Sequence, residues 1–269
     1  MLGSSTCKGD MDCSPANSQL KTRMREEVWR RRRITVYENP AGFGMLMSMI
    51  RFRSLAVLLM VSAAGCSTAA QPGGRFNSEI EAFEKQDAKS PPPPAPILFV
   101  GSSTIRFWET SKAFPNLPVL NRGVGGSEIS DVLFYYDRIV LRYRPRTIVF
   151  YSGDNDLAVG KSVEQVVSDM HEFINKVHAD LPNTKLVVIA IKPSIARWKM
   201  IDSFRKANHE IEKIVKEKHG DLYVDVEPQV LGPNGKPRPE LYWIDGLHFN
   251  EKGYAILDAA VKPYIAMGN

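Results

Sequence analysis

A chain of 269 residues with 43% hydrophobic content has enough apolar material to bury a real core, which excludes disorder throughout. Its formal net charge of +5 hints at a polyanionic partner until the charges are placed: residues 1–53 carry ten Lys or Arg against five Asp or Glu, and the remainder carries 25 of each. The excess lies in the leader, so the part that reads as folded offers no electrostatic case for nucleic acid.

Cys7, Cys13 and Cys66 all precede that part, which excludes a disulfide framework or a thiolate metal site inside it. Residues 1–44 are polar, with the run Arg30–Arg33 and no apolar period, and read as a disordered or misannotated extension; Met45, Met47 and Met49 are alternative starts. Residues 45–66 have the layout of a signal peptide: Arg51 and Arg53, the apolar run Leu55–Val61, the small residues Ser62–Gly65, then Cys66. The run is shorter than the roughly 20 residues that span a bilayer. Ala63-Ala64-Gly65-Cys66 resembles the bacterial lipobox, with Ala63 where leucine is usual; cleavage near Ala70 and simple secretion is the alternative. The expectation is an exported protein whose membrane contact is a lipid anchor at Cys66. Residues 67–95 read as a tether holding a short helix over Phe76–Ala88, with Ile80 and Phe83 on one face, stopped by Pro91–Pro94.

Over 96–269, short β-branched runs alternate with stretches of helical period. Strands are predicted at Ile97–Val100, Val119–Leu120, Thr147–Phe150, Leu186–Ile191 and Leu222–Val226. Helices are predicted at Ile129–Tyr143, Val163–Ala179, Ile201–Lys218 and Glu251–Ile265, the second opening on a Ser162/Gln165 capping box. Continuously apolar strands alternating with helices predict one doubly wound, flavodoxin-like α/β domain, a mostly parallel five-stranded sheet with helices on both faces.

In such a sheet ligands bind at the carboxyl ends of the strands, so the polar residues just past each strand carry the chemistry. The first strand runs into Gly101-Ser102-Ser103-Thr104, a tight turn that places a hydroxyl at a helix start, where a plain N-cap serine is the commoner explanation. The second leads into Asn121-Arg122-Gly123-Val124-Gly125-Gly126, which lacks dinucleotide-binding spacing. The third ends at Ser152-Gly153-Asp154-Asn155-Asp156, without the glycine and distal glutamate of a calcium loop. Before the last helix stands Trp243-Ile244-Asp245-Gly246-Leu247-His248, where the carboxylate is placed to orient the imidazole. His171, His178, His209 and His219 read as solvated helix residues. Trp108, Trp198, Tyr242 and Trp243 are candidates for a sugar or aromatic platform, partial burial being at least as good a reading for each.

Taken in order, these four blocks resemble the GDSL hydrolases, also called SGNH, from about residue 97 to the end, and the helix before the prolines resembles the family's amino-terminal extension. The resemblance implies a Ser103, Asp245, His248 triad and an oxyanion hole from Ser103, Gly126 and Asn155, with no metal and no cofactor. The family's Gly-Asp-Ser is Gly101-Ser102-Ser103 here; alignment on the glycine makes Ser103 the nucleophile, with Ser102 the alternative. The function implied is hydrolysis of small carboxylic esters, carbohydrate acetyl esters first and short-chain or aryl esters second. An acyltransferase with the same triad, or a glycan-binding surface lipoprotein without catalysis, are the rival classes.

Overall fold

The computed structural model describes residues 74–217 and 220–266. The expectations for residues 1–73, the signal peptide and Cys66 among them, lie outside the described residues, as do Lys218 and His219. After helix α1 (Asn77–Lys89) come β1 (Ile97–Gly101), α2 (Ser103–Arg106), α3 (Thr110–Ala113) and β2 (Val119–Gly123). Next are α4 (Ile129–Phe134), α5 (Tyr136–Ile139), β3 (Thr147–Tyr151), α6 (Asp154–Ala158), α7 (Val163–Asp180) and β4 (Lys185–Ile189). The chain closes with α8 (Ile201–Glu217), β5 (Leu222–Val224), α9 (Glu227–Val230) and α10 (Glu251–Ala266). Among the described residues no helix is long and apolar enough to cross a membrane.

The five strands pair in parallel in the order β2-β1-β3-β4-β5, the flavodoxin-like doubly wound arrangement. Alternation along each strand supplies two cores. Leu98, Val100, Ile148, Phe150 and Val188 meet α1, α4, α5, α7 and α8, whereas Phe99, Val149, Tyr151 and Ile189 meet α2, α9 and α10. With both faces covered, the central strands are buried at every position, which is why they read as apolar runs.

β2 runs three residues beyond its predicted end. Polar Asn121 and Arg122 belong to the strand because the buried Arg122 guanidinium meets Asp87 of α1 and donates from Nε to the Tyr143 hydroxyl at 2.8 Å. Tyr143 in turn donates to Asp87 at 2.6 Å. The helix within the 67–95 segment is therefore packed on the domain, with Ile80 fully buried and Glu84 paired to Arg138 at 2.7 Å. The helix predicted over 129–143 is broken at Tyr135. Tyr135 and Tyr136 are both buried, and side chains of consecutive helical residues diverge by about 100°. The break lets the Tyr135 hydroxyl accept from Gly74 N at 3.2 Å while Tyr136 packs edge-on to Phe173. At α7, Ser162 accepts from Gln165 N at 3.2 Å, but the Gln165 amide turns to Asp169 at 2.6 Å, so only half of the capping box forms.

Asp87→Ala is expected to leave the Arg122 charge buried without its counterion, at a cost of about 3–5 kcal/mol. A urea unfolding midpoint close to that of the parent would contradict this placement of α1.

Candidate active site

At the end of β1 the chain turns sharply. Gly101 has φ +138°, and a Cβ there would lie 1.9 Å from the Tyr151 carbonyl oxygen, so only glycine lets β1 and β3 close up where Ser102 N donates to Tyr151 O at 3.0 Å. Ser103 then opens α2. Gly126, at φ +81°, lies in the loop after β2, and Asn155 lies in α6 just past β3.

Asp245 and His248 come from a loop that Asp245 itself folds. Its Oδ1 accepts the backbone N–H groups of Leu247 and His248 at 2.9 and 3.0 Å, an Asx-type turn with Gly246 at φ +63°. Trp243 N donates to His248 O at 2.9 Å and closes the loop. The other carboxylate oxygen, Oδ2, lies 2.7 Å from His248 Nδ1. A carboxylate only accepts, so it holds the proton on Nδ1 and leaves Nε2 as an acceptor, 3.0 Å from the Ser103 hydroxyl. The imidazole is 7% exposed, with Phe107 edge-on at 5.1 Å and Trp243 at 6.4 Å. Burial would raise the Asp245 carboxyl, but the hydrogen bonds from His248 and from the N–H groups of Leu247 and His248 outweigh it and bring it down to about 2. Ser102 is wholly buried and its hydroxyl has no hydrogen-bond partner, so it is Ser103 that the imidazole reaches.

Asn155 is 9% exposed; its Nδ2 donates to the Ser127 carbonyl at 2.9 Å and its Oδ1 accepts from Arg197 at 2.8 Å. One amide N–H is committed to Ser127 and a second is left over. Asp156, fully buried, accepts from Ile129 N at 3.0 Å and from Lys161 Nζ at 2.9 Å, joining α6 to the start of α4 just beyond Gly126 and Ser127. A hydroxyl, an imidazole, a carboxylate and an amide N–H at the carboxyl ends of β1 and β3 can carry out acyl transfer.

Arg197 and Lys192 are among the site residues that escaped the sequence reading, as is Phe107 beside His248. Arg197 donates to both Asn155 and Asp154, the latter at 2.6 Å. Lys192 is 2% exposed, donates to the Leu247 carbonyl at 2.8 Å, and lies over the Phe249 and Tyr242 rings at 4.6 and 5.6 Å; burial lowers it to about 8. The rule of looking just past each strand, applied to β4, points at Lys192; nothing local marks Arg197. Of the aromatic candidates, Trp108 is core, 3% exposed with its indole donating to Asp258, and Tyr242 is buried with its hydroxyl donating to Pro193 O at 2.8 Å, so neither is a platform. Trp198 faces Lys236 at 4.6 Å, and Trp243 stands at the site. His171 and His209 are exposed as expected, but His178 is not simply solvated: its Nε2 meets Asp221 at 2.7 Å with the side chain 26% exposed.

The model of the GDSL-like Lipase/Acylhydrolase family matches residues 107–256, more than half of the chain. The chain belongs to this family. The match includes Gly126, Asn155, Asp245 and His248 and begins four residues after Ser103. Solved structures share the GDSL fold at low identity. A GDSL-like lipase from Bacteroides thetaiotaomicron superposes with a TM-score of 0.61 at 20% identity over 70% of this chain and 98% of that one. The lipase/acylhydrolase from Enterococcus faecalis gives 0.53 at 18% over 63% and 95%. An acetyl xylan esterase from Geobacillus stearothermophilus gives 0.52 at 13% over 65% and 97%. No curated protein matches the sequence. The family makes this chain a carboxylic ester hydrolase.

Because the Asp245 carboxyl is depressed to about 2, its stabilising contribution is present above the unfolded-state value of about 4 and is lost as pH falls from about 4 to about 2. Parent and Asp245→Asn are expected to differ in melting temperature near neutral pH and to converge across that acid window. A difference unchanged down to pH 2 would contradict the assignment.

Proposed function

We propose that the chain is a serine esterase acting through an acyl-enzyme, with Ser103 as nucleophile, His248 as general base and acid, and Asp245 as the carboxylate that orients it. The hydroxyl, imidazole and carboxylate series, at 3.0 and 2.7 Å, is the observation that carries this reading. His248 Nε2 takes the Ser103 proton as Oγ attacks the ester carbonyl carbon, and passes it to the departing alcohol. Water, deprotonated by the same imidazole, attacks the acyl-enzyme; the acid leaves and the proton returns to Oγ. The N–H groups of Ser103 and Gly126 and the free amide N–H of Asn155 hold the oxyanion in each half.

For the substrate, we infer acetyl esters of carbohydrates. The fold is shared with an acetyl xylan esterase, and the aromatic pair Phe107 and Trp243, 5.7 Å apart, stands beside His248, where the ring of a sugar alcohol has a face to lie against. We further infer export with a lipid anchor at Cys66, supported by the basic, apolar and small-residue order of residues 51–66.

Ser103→Ala is expected to abolish turnover and labelling by a fluorophosphonate probe, while Ser102→Ala is labelled. Asn155→Ala is expected to lose about a hundred- to a thousandfold in kcat while the protein still folds, as circular dichroism would show. On a panel of acetylated xylooligosaccharides and nitrophenyl esters, turnover is expected to fall as the acyl chain grows beyond acetyl; preference for long chains would sink the substrate reading. In cell fractionation, Cys66→Ser is expected to move the protein from the membrane pellet to the soluble fraction, and an unchanged distribution would remove the anchor.

A further inference from the structure

We propose that Arg197 is a positioning residue for the oxyanion donor, holding the Asn155 carboxamide in one orientation and strengthening its remaining N–H, an inference that rests on the catalytic reading above. A primary amide is nearly symmetric in shape, so packing alone does not decide which end faces the substrate; hydrogen-bond chemistry does. A guanidinium only donates, and Arg197 lies 2.8 Å from Asn155 Oδ1, so oxygen must occupy that end. The Ser127 carbonyl only accepts, and it lies 2.9 Å from Nδ2, so nitrogen must occupy the other. A flipped carboxamide sets donor against donor and oxygen against oxygen. The one N–H left over is therefore aimed in a fixed direction before substrate arrives, as oxyanion stabilisation requires.

The second effect is electronic. A cation hydrogen-bonded to the amide oxygen draws electron density from the nitrogen, which makes the free N–H a stronger donor to a developing negative charge. Asp154 neutralises the same guanidinium from 2.6 Å and fixes its plane, so the cation is anchored to two consecutive residues of α6. The segment bearing Arg197 is tied down as well. Arg197 N donates to Ser194 Oγ at 3.3 Å, and Ala196 N donates to the Gly246 carbonyl at 3.0 Å, inside the loop of Asp245 and His248.

The test is a double-mutant cycle on an acetyl ester with Arg197→Met, Asn155→Ala and the double variant, Ser103→Ala serving as the separate check on the catalytic reading. Arg197→Met is expected to lower kcat at least about tenfold with KM within about twofold, and Arg197→Lys to recover part of the loss. If Arg197 acts through Asn155, the double variant is no more than about twofold slower than Asn155→Ala alone. Losses that multiply, or an Arg197→Met enzyme with parental kcat while Ser103→Ala is dead, overturn the proposal and leave the catalytic reading standing. Retained turnover in Ser103→Ala overturns both. Should circular dichroism show that Arg197→Met does not fold, the cycle is run with Arg197→Lys, and the same comparison of double variant with Asn155→Ala decides.

Discussion

Neighbouring strands β1 and β3 send their outgoing connections to opposite faces of the sheet, and that divergence is the constraint on which the rest of the molecule depends. From β1 the chain enters α2, whose Ile105 joins the core on the face of Phe99; from β3 it enters α6 and α7, whose Val166 and Phe173 join the core on the face of Val100. Two connections leaving side by side in opposite directions open a crevice that neither fills. Ser103 and Asn155 are the residues at its two lips.

A crevice alone does not aim side chains, and in this protein much of the aiming falls to charges that are wholly or partly withdrawn from water, Lys192 at 2% exposed and the Arg197 side chain at 17%. Lys192 and Arg197, both past β4, reach in two directions: the first to the Leu247 carbonyl in the histidine loop, the second to Asn155 and Asp154. Asp156 and Lys161 do the same between α6 and α4. A buried ionic group that lost its partner would cost several kcal/mol, so each such group tolerates few arrangements of the loops around it. That narrowness is what a site needs where a misplacement of about 1 Å can cost about a hundredfold in rate.

The fold was legible in the sequence because strands covered on both faces are apolar throughout, and Ile97–Val100 and Thr147–Phe150 are such runs. The four blocks that hold the site were legible because they follow strand ends or precede the last helix; the choice of Ser103, Gly126, Asn155, Asp245 and His248 within them came from the resemblance to the GDSL hydrolases, and the structure brings Ser103, His248 and Asp245 within hydrogen-bond distance. What stayed hidden is a matter of long-range pairing. Arg122 read as part of the connection after a strand ending at Leu120 because its partner, Asp87, is 35 positions away on α1. Arg197 drew no reading at all, because Asn155 is 42 positions away. His178 looked solvated for the same reason, with Asp221 43 positions away in the connection just before β5. Tyr135 and Tyr136 conceal a helix break that local period does not register, since either alone fits a helix.

Helix α1 lies outside the family-matched span, yet it buries Ile80 and carries the counterion of Arg122. It is spoken for by the domain and adds no slack to whatever precedes it. Between Cys66 and Gly74 there are only eight steps of chain, which at full stretch reach about 30 Å. On the proposed anchoring, this leash is no longer than a bilayer's hydrocarbon core is thick, and the enzyme would graze polymers lying against the membrane surface rather than those far from it.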